Sequence, residues 1–301
     1  MTRLLFGLVL FCCSLGFAQH ANPIKEPVYF SVAEAIAANR NATQLNLRDQ
    51  NHFFMPDDIE QLQNLRFLNL MRNHLEQWDD AVFSLKKLEV LNVQFNGIKY
   101  LPKNVGNLTK LIKLDLGNND ITVLPDEIGK LTKLRFLYLS LNSLTSVPEV
   151  IGNCKNLEVL QLDSNQLSYL PQSITSLKKL KTLYLGYNQF NEFDRQWLAL
   201  SGLEELHMEH NQLREFPDGM EKLRNLKSLM INNNKLISLP DSINNLSELE
   251  FLSVANNEMS KMPNQIGGMV KLKTLIISGN PMSVEEVSRI KAALPNCRVY
   301  F

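Results

Sequence analysis

The chain has 301 residues, 45% of them hydrophobic, and its 31 Lys and Arg balance 31 Asp and Glu. A formal charge of zero argues against a protein that binds DNA, RNA or an anionic membrane, because such proteins carry a clustered basic excess. The apolar fraction is too high for a disordered chain, and the length alone favours two domains, since a domain typically has about 100–200 residues.

Residues 1–18 have the layout of a secretory signal peptide. A positive charge at the amino terminus precedes an apolar run over Leu4–Phe17, and Gly16 and Ala18 form the small-x-small pattern of a cleavage site. We therefore expect cleavage before Gln19 and export of the mature chain.

Two alternatives to a cleaved signal are disfavoured. An uncleaved anchor needs about 20 residues to cross a membrane, and the apolar run is shorter. A lipoprotein signal needs a small residue before the modified cysteine, whereas Phe11 and Cys12 precede the two candidates, Cys12 and Cys13. No second long apolar run follows, so the mature chain is expected to be soluble.

Residues 19–41 are expected to cap the amino-terminal end of the fold. The sequence Ser-Val-Ala-Glu at 31–34 is a capping box, in which the serine hydroxyl and the glutamate satisfy backbone groups of a helix start. The predicted helix presents Val32, Ala35 and Ile36 to the rest of the chain.

A 23-residue period runs through most of the chain. Leucine or a similar residue stands eight, five and three places before a recurring asparagine, and Leu-Pro, Ile and Leu follow it at fixed distances. Eleven copies occur without insertion, with Gln50 in place of the asparagine in the first. The recurring asparagines are Asn73, Asn96, Asn119, Asn142, Asn165, Asn188, Asn211, Asn234, Asn257 and Asn280.

The unit L-x-x-L-x-L-x-x-N-x-L-x-x-L-P-x-x-I-x-x-L resembles the 23-residue leucine-rich repeat, as found in exported bacterial proteins, over residues 42–282. The L-x-L segment places two leucines on one face of a short strand. One repeat cannot bury these leucines alone, so the repeats must stack. We therefore expect an α/β fold, a horseshoe solenoid of eleven repeats with a parallel concave sheet and helical caps, and not two domains.

The asparagine column is expected to be structural. A buried amide has two donors and an acceptor, with which it can satisfy backbone groups where each strand leaves the sheet. Stacked once in every repeat, these amides would form a ladder between consecutive repeats.

Residues 283–301 are expected to cap the carboxyl-terminal end. A second capping box at 283–286 predicts a helix that stops at Pro295 and is followed by a short closing strand. The apolar face of this helix is predicted to consist of Val284, Val287, Ile290 and Leu294.

Repeat seven departs from the frame. Asp194 replaces the proline and Trp197 replaces the isoleucine of the convex segment. Trp197 is expected to pack in the convex core, with a contact to a partner on the convex side as the alternative.

Cys154 and Cys297 remain after cleavage, and we expect both to be free. Cys154 occupies a leucine column and should be buried. The two lie about six repeats, or roughly 30 Å, apart, whereas a disulfide needs Cα atoms within about 7 Å.

His207, Glu209 and His210 form the single cluster with metal-binding chemistry in the sequence. His207 and Glu209 alternate onto one strand face, but a third convergent ligand is missing. We expect no metal and no cofactor.

Repeats five to eight place seven large side chains on the predicted concave face, over roughly 15 Å. Aromatic side chains with polar tips concentrate at the anchors of protein interfaces, which favours a binding patch. The alternative is that they only cover neighbouring strands by cross-strand packing. The seven residues are Phe136, Tyr138, Leu141, Tyr184, Tyr187, His207 and His210.

The resemblance implies interaction rather than catalysis. We expect a non-enzymatic module that binds a protein or peptide on its concave face, exported from a bacterial cell to the periplasm, the cell surface or the medium, in a host or surface interaction. No Ser/His/Asp triad, paired-acid motif, phosphate loop or H-E-x-x-H motif occurs, so no enzyme activity is expected. Neither nucleic acid binding nor membrane insertion of the mature chain is expected.

Two other functions stay open. A structural adhesin or envelope component would need no single anchor patch. The L-P-x-x-I repeat also resembles intracellular signalling scaffolds that dock small GTPases, which the apolar amino-terminal segment disfavours.

Overall fold

A computed structural model describes residues 26–38 and 41–301 of the chain. The predicted signal peptide, residues 1–18, and the first part of the amino-terminal cap lie outside these residues. In the described part, thirteen short strands form one parallel sheet in chain order. From β2 to β12, each strand residue pairs with its counterpart in the next repeat, for example Leu114 with Leu137, so the period of the sequence becomes the register of the sheet.

Most strands have three residues, namely the first leucine of the L-x-L segment and the residue on either side of it. The strands are β1 (Val28–Tyr29), β2 (Gln44–Asn46), β3 (Phe67–Asn69), β4 (Val90–Asn92), β5 (Lys113–Asp115), β6 (Phe136–Tyr138), β7 (Val159–Gln161), β8 (Thr182–Tyr184), β9 (Glu205–His207), β10 (Ser228–Met230), β11 (Phe251–Ser253), β12 (Thr274–Ile276) and β13 (Arg298–Tyr300).

The convex side is built from short 3-10 helices, which the sequence pattern did not specify. Five of them follow a proline in extended conformation, whose fixed φ sets the direction in which the helix starts. The 3-10 helices of the described residues are Ile59–Gln61, Asp80–Ser84, Lys103–Asn107, Asp126–Lys130, Glu149–Asn153, Gln172–Ser176, Arg195–Ala199, Met220–Lys222, Asp241–Asn245 and Ile266–Gly268.

The 3-10 helices of neighbouring repeats pack closely. A Cβ atom on Gly152 would lie 2.6 Å from the Cβ atom and 2.7 Å from the carbonyl oxygen of Ser173 in the next repeat. Such distances are shorter than real Cβ contacts, so only glycine fits there without a shift of the neighbouring backbone.

One continuous hydrophobic core lies between the sheet and the 3-10 helices, from Ala35 to Leu294. The central leucine of every strand from β2 to β12 is at most 1% exposed. Trp197 is 3% exposed and meets the rings of Phe190 and Phe193 edge-on, with centroids 5.7 and 5.2 Å away. The expectation that Trp197 packs in the convex core is therefore confirmed.

Both predicted cap helices are present. Helix α1 spans Val32–Ala37, and the Ser31 hydroxyl accepts a hydrogen bond from the backbone N–H of Glu34 at 3.2 Å. Helix α2 spans Val284–Ala293, and Ser283 caps Glu286 in the same way.

One detail of the predicted carboxyl-terminal helix is wrong. Val284 is 78% exposed, whereas Ile290 and Leu294 are buried. At about 100° of rotation per residue, Val284 lies about 120° around the helix from Ile290 and cannot share its buried face.

A network that the sequence did not reveal ties α2 to the last repeat. The Glu286 carboxylate accepts a hydrogen bond from the backbone N–H of Met262 at 2.8 Å, and Arg289 pairs with the same carboxylate at 2.7 Å. Arg289 also donates to the Met262 carbonyl oxygen at 2.9 Å. The hydrogen bond to Arg289 lowers the pKa of Glu286.

Cys154 and Cys297 are free, and Cys154 is fully buried, as its leucine column predicted. Burial raises the pKa of the Cys154 thiol to about 11, so this cysteine behaves as a small hydrophobic side chain. Within residues 26–38 and 41–301, no helix has the length and apolar composition needed to cross a membrane.

Candidate functional site

The concave face is lined by the first and third residues of each strand. Because side chains alternate along a strand, these two residues point away from the core into which the central leucine points. On β8 and β9 the third residues are Tyr184 and His207, which the sheet register places side by side.

The residue before each asparagine of the ladder adds a second row to this face, and it has an unusual backbone. The angle φ lies between 52° and 57° at the nine of these ten residues that are not glycine and is 75° at Gly279. Asp49, before Gln50 of the first repeat, has the same conformation with φ 58°. The left-handed region costs residues other than glycine about 1–2 kcal/mol, and asparagine tolerates it best. The column accordingly contains three asparagines, Asn118, Asn233 and Asn256.

Phe95, Leu141 and Tyr187 also occupy this left-handed column, although none of them is a residue that tolerates the conformation well. Leu141 is 50% exposed and Tyr187 is 52% exposed, so burial in the core does not offset the backbone strain. All eleven repeats share this backbone conformation, so Leu141 and Tyr187 are distinguished by their large exposed side chains. The 23-residue period reveals this column but not its conformation, for which the recurrence of Asn and Gly in the column is the available signal.

Four of the seven predicted site residues form two stacked pairs, one on β8 and β9 and one in the segments that follow these strands. The rings of Tyr184 and His207 lie 4.1 Å apart at 24°, and those of Tyr187 and His210 lie 4.1 Å apart at 13°. The Tyr184 hydroxyl donates to the Glu205 carboxylate at 3.1 Å. Each tyrosine is thus held flat against a histidine of the next repeat.

The other three site residues, Phe136, Tyr138 and Leu141, belong to β6 and its exit. The Lys113 ammonium lies 4.7 Å from the centroid of the Tyr138 ring, and the Arg135 guanidinium lies 5.1 Å from that of Phe136. Strand β7, which has no aromatic residue, separates this group from the pairs on β8 and β9. The seven residues therefore form two groups about 10 Å apart, and not one continuous aromatic stripe.

The histidines of the pairs are in their neutral form at neutral pH. Burial lowers the pKa of His207 to about 4 and also lowers that of His210. A neutral imidazole stacked on a phenol ring gives an aromatic surface without charge, which suits contact with apolar and hydrogen-bonding groups.

A buried carboxyl group lies beside these pairs. Glu209 crosses over Gly186, where a Cβ atom would lie 2.8 Å from the Glu209 carboxyl carbon. Burial, followed by the charge of Asp163, raises the pKa of Glu209 to about 7. Asp163 accepts a hydrogen bond from Ser140 at 2.6 Å, and burial raises its pKa as well. In the described part of the chain, no three His, Cys, Asp or Glu side chains are placed to hold a metal ion.

A row of alternating charges precedes the strands, and sequence analysis missed it. Its signal was the alternation of basic and acidic residues at 23-residue spacing, interrupted by the uncharged Ile112 between Glu89 and Arg135. Arg66 pairs with Glu89 at 2.9 Å, Arg135 with Glu158 at 2.8 Å, and Lys227 with Glu204 at 2.7 Å. These pairs neutralise one another along the edge of the concave face. The row consists of Arg66, Glu89, Arg135, Glu158, Lys181, Glu204, Lys227, Glu250 and Lys273.

The ten asparagines of the ladder bind backbone groups. In each, the amide nitrogen donates to the carbonyl oxygens three and 26 residues earlier, and the amide oxygen accepts from the backbone N–H 21 residues earlier. Six of the ten are at most 9% exposed. Their amides are thus engaged within the fold and are not presented to a ligand.

Comparison with known proteins identifies the family to which this repeat pattern belongs. A family profile described as a leucine-rich repeat region matches residues 44–137 and 125–232, and a second, described as a leucine rich repeat, matches residues 224–282. The chain belongs to the leucine-rich repeat family. A search of curated protein sequences gave no match.

Solved leucine-rich repeat structures share the fold. An internalin from Listeria monocytogenes is 23% identical with a TM-score of 0.78, over 87% of this chain and 74% of that chain. The Drosophila Toll–Spatzle complex gives 21% identity and a TM-score of 0.76, over 91% of this chain and 39% of that chain. These likenesses confirm the predicted α/β horseshoe with its parallel sheet.

A third similar structure is the Arabidopsis receptor kinase HAESA in complex with the peptide hormone IDA and the co-receptor SERK1. It is 25% identical with a TM-score of 0.73, over 91% of this chain and 51% of that chain. This leucine-rich repeat chain thus spans about half of the HAESA chain.

Proposed function

We propose that the concave face binds an extended protein or peptide segment and performs no catalysis. The observation that carries the proposal is the presence of Leu141 and Tyr187, half-exposed and in left-handed backbone, in a column where four other repeats have asparagine or glycine. Large side chains that are exposed at the expense of backbone strain are explained by contact with a partner. A peptide complex of the similar HAESA structure supports this use of the fold.

The two groups on the concave face would act as two anchors. Tyr184 is held against His207, and Tyr187 is held against His210. Little side-chain freedom is therefore lost when a partner binds. Leu141 and its neighbours on β6 lie about 10 Å away, or three residues of an extended peptide. A bound segment would therefore cross the strands and present bulky side chains about three residues apart.

The test combines Leu141→Asn with Tyr187→Asn. Linear peptides selected from a random library on the wild-type protein are expected to bind this variant at least about tenfold more weakly. The melting temperature should not fall, because asparagine is better suited to left-handed backbone.

The matched control is Tyr100→Asn combined with Tyr169→Asn. These tyrosines are 48% and 56% exposed but lie outside the concave face, beyond the exits of their strands. Equal loss of binding in both variants, or unchanged binding in the concave variant, would contradict the proposal.

We further propose that the chain is exported, on the strength of the charge, apolar run and cleavage pattern of residues 1–18. Amino-terminal sequencing of the protein produced by its own host cell should start at Gln19. A chain that still starts at Met1 would instead favour an anchored protein or an intracellular scaffold.

A further inference from the structure

The turns that lead into β4 to β8 carry an exposed row of lysines. Two residues in each turn point to solvent between two buried leucine-column residues, as at positions 86 and 87 between Leu85 and Leu88. Of these ten residues seven are lysines, the others are Thr109, Thr132 and Asn156, and none is acidic. The row consists of Lys86, Lys87, Lys110, Lys133, Lys155, Lys178 and Lys179, all exposed.

The charges of this lysine row are not neutralised within the described part of the chain. None of the seven ammonium groups has a carboxylate oxygen within 4.0 Å among residues 26–38 and 41–301. The acids beside the row are already engaged, since Glu89 and Glu158 each accept two hydrogen bonds from an arginine, Arg66 and Arg135.

The lysine row ends at an uncharged repeat on each side and follows a straight line across the strands. The corresponding positions of the repeats on either side are uncharged, Gln63 and Asn64 before the row and Ser201 and Gly202 after it. The parallel sheet spaces the repeats about 4.8 Å apart, so the lysines form a line about 19 Å long. Like charges at this spacing repel one another, and a bound polyanion would relieve the repulsion.

We propose that the lysine row binds a linear sulfated polysaccharide. Such a chain carries anionic groups at regular intervals and needs no stacking surface. Single-stranded nucleic acids need aromatic side chains on which the bases stack, and none occurs at these ten positions. A membrane surface extends in two dimensions, and the row offers it one line of charges and no exposed apolar side chain to insert. The site lies on the edge of the solenoid and does not depend on the concave face.

The test titrates a heparin-derived oligosaccharide of defined length into the purified protein at 50, 100 and 200 mM NaCl. Affinity should fall as salt rises, because binding releases counterions from the polyanion. The triple variant Lys110→Glu, Lys133→Glu, Lys155→Glu should bind at least about tenfold more weakly at the lowest salt concentration.

The control variant is Lys103→Glu, Lys235→Glu, Lys261→Glu. It makes the same change in net charge at three exposed lysines outside the row, Lys103 at the start of a convex 3-10 helix and Lys235 and Lys261 after β10 and β11. It should change the affinity less than about twofold, because none of these three lysines lies in the turns that carry the row and salt screens charges that do not contact the bound chain. Should charge reversal lower the melting temperature, the three Lys→Gln substitutions repeat the measurement without adding acids.

Three outcomes would overturn the proposal. The first would be failure of the oligosaccharide to bind the wild-type protein at 50 mM NaCl. The second would be equal affinity of the oligosaccharide for the two triple variants. The third would be tighter binding of a competing anion to the wild-type protein, either a single-stranded oligonucleotide of equal charge or vesicles containing phosphatidylserine.

Discussion

Replacing Asn165 by leucine is expected to lower the free energy of unfolding by about 4 kcal/mol. The amide nitrogen of Asn165 donates to the carbonyl oxygens of Leu139 and Leu162, both at 3.0 Å, and its amide oxygen accepts from the backbone N–H of Leu144 at 3.0 Å. Leucine has a similar size but none of these groups. The buried N–H of Leu144 would then lose its partner, and the penalty for an unpaired buried donor adds to three lost hydrogen bonds.

The neighbouring ladder asparagines limit the loss of hydrogen bonds to the contact between two consecutive repeats. The Leu139 carbonyl also accepts from Asn142, and the Leu162 carbonyl also accepts from Asn188, so both keep one partner. Urea unfolding followed by circular dichroism measures the loss, and amide exchange at Leu144 should accelerate most. Asn191→Leu makes the same change at an exposed position, and equal stability of the two variants would contradict the structural role of the ladder.

Replacing Glu209 by glutamine is expected to stabilise the protein by about 3 kcal/mol at pH 8 and to have little effect at pH 4. Burial raises the pKa of this carboxyl group from 4.5 to about 7 in the folded state. Below pH 4.5 the group is protonated in both states. Between pH 4.5 and 7 the unfolded chain ionises while the folded one stays protonated, so stability contributed by the neutral form is lost as the pH rises.

The difference between the wild type and Glu209→Gln isolates this effect from that of His207. The pKa of His207 falls from 6.5 to about 4 on folding, so its contribution is present above pH 6.5 and is lost as the pH falls. The two trends oppose each other in the wild type but only the Glu209 trend changes in the variant. Glu215→Gln makes the same change at an exposed position, and an equal effect of the two variants at every pH would contradict the predicted role of Glu209.

The stacking of the repeats could be predicted because every repeat has the same pattern of leucines at the same spacing. Leu114 and Leu137 are one repeat apart in sequence and are paired in the sheet, so leucines at equivalent positions of successive repeats lie side by side in the core. The two cap helices were equally predictable, since the capping boxes at Ser31 and Ser283 are local. Strand β1 was missed because two residues show no periodicity, and Val284 was misplaced because a list of apolar residues was taken for a helix face.

The concave face was predictable as a set of positions but not as a surface. Sequence columns placed Tyr184 and Tyr187 there, and whether they anchor a partner or only pack across strands is the question that the asparagine variant answers. Their stacking on His207 and His210 depends on side-chain conformations in two repeats at once. The left-handed backbone of Tyr187 follows from the way the ladder bends the chain, which no property of tyrosine indicates.

The sequence by itself determined the period, the parallel register, the leucine core and the caps, because contacts in a solenoid run between neighbouring repeats at one fixed separation. Only the tertiary structure decided how side chains in one column interact. It showed that Gly186 leaves room for Glu209. It also distinguished a row of ion pairs from a row of lysines that have no carboxylate partner among the described residues. A net charge of zero does not reveal this separation, since net charge adds all residues together, whereas electrostatic energy depends on distance and burial.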